Sequence, residues 1–200
     1  VSGIADPPMA GGPSFACDNV QAGRTLDMNC QDSDLSALDH ELNAVYQAAA
    51  AKVTAGQRSI LRTEQRGWIK GRDDCWKSAD IYGCIVKEYQ HRIPFLQAGY
   101  GLIPGTGPIS YLCDNTPDNN IVVTYYPTDP PTLIARYRNS TSLMFLQVAA
   151  SGTKYQGRNE TFWEHHGEAL VTWGYGALKM HCRTTAGSQS PTTHTNKPIH

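Results

Sequence analysis

The stretch Gly99-Tyr-Gly-Leu-Ile-Pro-Gly-Thr-Gly-Pro108 divides the chain into two kinds of sequence. Its glycines lose the most conformational entropy on ordering and its prolines have no amide proton to donate, so it reads as a linker rather than as a helix or strand. Ahead of it the apolar residues keep a helical period. From Leu35 they recur as Leu38, Leu42, Val45, Tyr46 and Ala49, with Ser33 or Asp34 placed to cap the start. Thr54-Ala-Gly-Gln57 has the form of a capping box and opens a second helix, whose Ile60, Leu61, Trp68, Ile69 and Trp76 fall mainly on one stripe. Ile81, Ile85, Val86, Tyr89 and Ile93 form a third pattern that meets Pro94, where a helix should end or kink.

Behind the linker the period shortens to that of strands. The runs are Ile121 to Tyr126, Thr132 to Arg138, Thr141 to Val148, Thr161 to His165, Glu168 to Trp173 and Ala177 to Arg183. Turn residues separate them at Pro127-Thr-Asp-Pro-Pro131, Arg138-Asn-Ser140 and Trp173-Gly-Tyr-Gly176. Short antiparallel strands lose their exposed edges most simply by closing on themselves. The expected fold class is therefore α+β in two domains: an all-helical domain with disulfides over 1–98, a linker over 99–108, and a small antiparallel β-barrel over 109–183. Residues 184–200, rich in Ser, Thr, Pro and Gly, read as a disordered tail whose His194 and His200 are solvated.

The 17 Lys and Arg against 18 Asp and Glu leave a net charge of −1, which gives no reason to expect a polyanion such as nucleic acid as partner. No apolar run approaches the roughly 20 residues that span a bilayer, and Val1-Ser-Gly-Ile lacks the basic and apolar regions of a signal peptide. The chain thus reads as a mature chain without a membrane span. Six cysteines pair by position as Cys17 with Cys30, Cys75 with Cys84, and Cys113 with Cys182. None stands in a Cys-x-x-Cys motif, so disulfides in an oxidising compartment are expected rather than zinc, although six cysteines allow fifteen connectivities.

Ser151-Gly-Thr-Lys-Tyr-Gln-Gly-Arg-Asn-Glu-Thr-Phe-Trp-Glu-His-His-Gly-Glu-Ala169 holds the densest chemistry. Ser151 lacks the strand-to-helix elbow of a serine nucleophile. His165 and His166 are adjacent on an expected strand, where side chains point to opposite faces, so they do not share a metal ion. No cofactor and no catalytic role are expected. The plain alternative is a β-hairpin in which Phe162 and Trp163 alternate faces and Tyr155 packs in the core.

Tyr111-Leu-Cys113, Ser151-Gly-Thr-Lys-Tyr155, Phe162-Trp163, Glu168-Ala169 and Cys182, in that order over about residues 109 to 183, resemble the MliC/PliC family of periplasmic C-type lysozyme inhibitors. Cys17, Cys30, Leu38-Asp39, Glu64-Gln-Arg-Gly-Trp68, Arg72-Asp-Asp-Cys75, Cys84, Tyr89 and Arg92-Ile93 resemble the LprI-type domain. The resemblance implies an inhibitor of C-type lysozyme, located in the periplasm or secreted. In the inhibitor family a Ser-Gly loop inserts between the enzyme's catalytic carboxylates, and a second loop supplies a lysine in a Phe-Trp-x-Lys-Gly pattern. Carried over, this makes Ser151 and Gly152 the inserting pair. His165 stands where the lysine would be and His166 where the glycine would be, which makes His165 a replacement cation. Lys154 and Tyr155 become supports or peripheral contacts. The alternative from another class is a cell-envelope module that binds peptidoglycan or an envelope protein and inhibits nothing.

Overall fold

The computed structural model describes residues 12–185 and divides the chain into two units, Val1–Leu102 and Ile103–His200. The expected tail beyond Thr185, with His194 and His200, lies outside the described residues.

The first unit is helical: α1 (Thr25–Gln31), α2 (Ser33–Lys52), α3 (Ala55–Asp73), a single 3-10 turn over Asp74–Lys77, and α4 (Ile81–Gly99). The start of α2 is capped by Asp32 and not by Ser33 or Asp34. The Asp32 carboxylate accepts from the amides of Asp34 and Leu35 and so satisfies two of the donors every helix start leaves over. The capping box of α3 forms as read, with Thr54 and Gln57 each bonding to the other's backbone. Pro94 neither ends nor replaces α4, which runs through it to Gly99. The proline is itself buried, and with Ile93 and Leu96 on either side its packing offsets the one backbone bond it cannot make.

Leu35, Leu42 and Ala49 of α2, each seven residues apart, face Ile85, Tyr89, Ile93 and Leu96 of α4, with Leu61 from α3 closing the core. The stripe read on the second helix therefore splits: Leu61 is buried and Trp68 packs against the core, but Ile60, Ile69 and Trp76 face solvent. Within this apolar core lies one polar cluster. Tyr89 donates to Asp39 Oδ1 (2.9 Å) and accepts from Arg72 Nη1 (2.9 Å) and Asn29 Nδ2 (2.6 Å), with all four side chains buried. Burial pushes the Tyr89 hydroxyl well above its usual titration range, so it remains a donor to the carboxylate. Cys17–Cys30 and Cys75–Cys84 are bonded as their positions suggest.

The second unit is a closed barrel of eight antiparallel strands in sequence order: β1 (Thr106–Cys113), β2 (Asn120–Tyr126), β3 (Thr132–Tyr137), β4 (Ser140–Gln147), β5 (Thr153–Gln156), β6 (Glu160–His165), β7 (Glu168–Trp173) and β8 (Met180–Thr184). β1 opens inside the glycine- and proline-dense stretch. The last strand starts at Met180 rather than Ala177, and Thr184 belongs to it, paired with Tyr111, rather than to a tail. Alternate residues point inward, and Tyr111, Ile121, Val123, Leu133, Met144, Phe162 and Val171 fill the interior. Cys113 and Cys182 face each other on β1 and β8 and are bonded, so the pair that closes the barrel is also covalent. Among the described residues no helix is long and apolar enough to cross a membrane.

Candidate functional site

The loop between β4 and β5 ends in Ser151 and Gly152, both exposed. Gly152 has φ +65, and a Cβ built on it would lie 2.3 Å from the Glu164 carbonyl oxygen. Only glycine permits that backbone-to-backbone approach to β6 at that torsion. One residue earlier the indole of Trp163 donates from Nε1 to the Ser151 carbonyl oxygen at 2.8 Å. The loop is thus held at two consecutive residues by one strand, through main-chain atoms. The Ser151 hydroxyl takes no part in either contact, and serine keeps both its donor and its acceptor capacity.

Register determines what surrounds the serine. Lys154 pairs with Trp163 across β5 and β6, and its Nζ stands 5.9 Å from the indole centroid on the outer surface of the barrel. His165 is the last residue of β6. His166 and Gly167 form a two-residue turn with φ +54 and +80, followed at once by Glu168. This overturns the expectation that the two histidines point to opposite faces: the left-handed conformation at His166 turns its ring back onto His165, edge to face, with centroids 4.2 Å apart. Glu164 Oε1 accepts from the Gly167 amide (2.8 Å) and fixes the turn from within. Tyr155 does not reach this surface. It is 6% exposed, packs edge to face with Tyr125, and its hydroxyl is pushed up to about 12 by burial and, secondarily, by the Glu164 carboxylate. It shapes the strand that carries the loop.

Ser151, Trp163, His165, Leu170, His181 and Arg183 border a hollow of about 340 Å³ on the outside of β6, β7 and β8. His181 and Arg183 were not singled out in the sequence. The available signal was alternation: Cys182 points into the barrel, so its two neighbours must point out. Arg183 Nε meets Glu168 Oε1 at 3.1 Å in an exposed pair, which neutralises that corner. Of the residues read as a site, the structure brings Ser151, Gly152, His165 and His166 to one end of the barrel, sets Lys154 beside them, and turns Tyr155 inward. The arrangement offers a braced hydroxyl with imidazoles and an ammonium at its flank, a set suited to donating hydrogen bonds to carboxylates.

Two family models match the chain in order. Residues 17–96 match the family described as lysozyme inhibitor LprI, and residues 111–180 match that described as membrane-bound lysozyme-inhibitor of c-type lysozyme, MliC. Proteins named lipoprotein LprI from Mycobacterium bovis and from two strains of Mycobacterium tuberculosis are 27% identical over 187 residues, covering 88% of this chain and 92% of the relative. No solved structure matches.

Proposed function

We propose that this chain, an LprI-type helical domain followed by an MliC-type barrel, is a proteinaceous inhibitor of c-type lysozyme that inserts the Ser151–Gly152 loop into the enzyme's active-site cleft. The observation that carries the reading is the double brace on the loop: the Gly152 main chain seated against the Glu164 carbonyl, and the Ser151 carbonyl held by Trp163. A loop fixed before binding loses little entropy on insertion, which lowers the cost of association and so favours affinity. A lysozyme cleft contains one carboxylate that stays ionised and one whose affinity for its proton is raised. The Ser151 hydroxyl can donate to the first. Lys154 stands at the flank as a cationic partner and His165 and His166 as imidazole hydrogen-bonding partners, with Tyr155 and Trp163 as supports. An envelope location agrees with the three disulfides and with the lipoprotein names of the relatives.

The test is an inhibition assay of the purified chain against a c-type lysozyme. Ser151→Ala removes one hydrogen bond to a charged group, about 1.5 to 3 kcal/mol, or roughly ten- to a hundredfold in the inhibition constant. Ser151→Trp obstructs entry as well and should weaken inhibition further. A folded Ser151→Trp protein that inhibits like the parent rules the loop out.

A further inference from the structure

The helical unit has two adjoining hollows along the outer side of α3, and they share Phe15, Leu26, Ile69 and Asp73 as a common wall. The first, about 430 Å³, is bordered by the amides of Asn43, Gln47 and Gln65 and by the rings of Tyr46 and Trp68. The second, about 700 Å³, is bordered by Arg24, Arg66, Lys70 and Trp76. Trp76 is 44% exposed, an unusual place for so large an apolar ring, and the Arg24 guanidinium lies 4.6 Å from its centroid.

The charges along these hollows are unequally satisfied. Asp39 accepts from Ser14 and Tyr89 and shares Arg72 with Asp73, at 3.6 and 2.8 Å, and Asp74 is paired with Lys77. Arg24, Arg66 and Lys70 are exposed, and among the described residues none of them is in an ion pair. The three carboxylates bordering the groove are met by two cations, Arg72 and Lys77, and with Arg24, Arg66 and Lys70 added the groove carries a local excess of two positive charges, in a chain whose overall charge is −1. The excess is therefore local to this groove, and it calls for an anionic ligand.

The neighbouring hollow narrows the class. Neutral amides beside aromatic rings suit hydroxyl and acetamido groups and the C–H faces of sugars. We infer that the groove along α3 is a second binding site, separate from the barrel loop, for a glycan of N-acetylated amino sugars that carries carboxylates, the chemistry of peptidoglycan. Sugar rings lie against Tyr46 and Trp76, acetamido groups meet Asn43 and Gln47, and carboxylates meet Arg24, Arg66 and Lys70. The helical unit then holds the protein on the polymer that a lysozyme cuts.

The experiment is co-sedimentation of the full chain with insoluble peptidoglycan, beside fluorescence titration with soluble glycan strands, with neutral N-acetylglucosamine oligomers and with polyglutamate. The full chain should sediment, and added salt should weaken binding. Arg66→Glu with Lys70→Glu should weaken it about tenfold or more, because two attractions become repulsions. Trp76→Ala should weaken it as well, the neutral oligomers should bind less tightly than the carboxylated strands, and polyglutamate should bind least. The two charge reversals lie on exposed positions outside any ion pair, so helical circular dichroism should be unchanged and a loss of binding cannot be put down to unfolding. Absence of sedimentation, parent-like binding by both variants, or polyglutamate bound as tightly as the strands would each overturn the assignment. The Ser151→Trp chain should sediment as the parent does, which separates this site from the loop whichever of the two fails.

Discussion

At the scale of single residues, Gly152 decides more than the serine beside it. An alanine there meets both a φ of +65 and the Glu164 carbonyl at 2.3 Å, so the loop must leave β6 or β6 must bend. The torsion alone costs about 1 to 2 kcal/mol. Gly152→Ala should therefore lower the thermal stability of the barrel measurably and reduce lysozyme inhibition more than Ser151→Ala does, although it removes no polar group. Parent-like inhibition by Gly152→Ala would mean that the brace is irrelevant to binding. His166 presents the converse case. It adopts φ +54, a torsion that favours glycine, and it retains a side chain there at the expense of backbone ease. What that side chain gains is the ring contact with His165.

At the scale of elements, the helices with long repeats were legible, as were the capping box, all three cystine pairs and the closure of the strands. The missing pieces were short. α1, seven residues long, is too brief to hold itself together and depends on remote partners: Thr25 Oγ1 donates to the Asp73 carbonyl at 3.2 Å, and Asn29 reaches Tyr89. β5 has only four residues, too few for alternation to register, and exists because β4 and β6 flank it. The serine–glycine pair could be read from sequence, but the Trp163 bond to Ser151 spans twelve residues and depends on register, which no local pattern fixes. The same register gathers Tyr111, Tyr125 and Tyr155 inside the barrel, with Tyr111 and Tyr125 hydroxyls 3.4 Å apart. Burial raises all three above the ordinary tyrosine value of about 10, Tyr155 to about 12. The native state thus keeps protons that the unfolded chain gives up. Their stabilising contribution is complete below pH 10 and is lost as the pH climbs from 10 through the raised values. Tm of the barrel should hold up to about pH 10 and fall beyond it. Tyr155→Phe should make that fall shallower, and an identical slope would contradict the assignment.

At the scale of the whole molecule, the three disulfides share one rule: each cysteine is bonded to the next cysteine along the chain, at separations of 13, 9 and 69 residues. A polypeptide delivered amino end first across a membrane exposes its thiols one at a time. Here the first eligible partner to arrive is always the native one, so oxidation in order of appearance gives the correct set without any bond having to be undone. Secretion of this protein should therefore require an enzyme that makes disulfides but not one that reshuffles them. In a bacterial host, loss of the periplasmic oxidase should abolish the yield of active protein, and loss of the isomerase should leave it unchanged. A strong isomerase requirement would mean that the chain pauses with the wrong cysteines together, despite an arrangement that lets synthesis itself do the sorting.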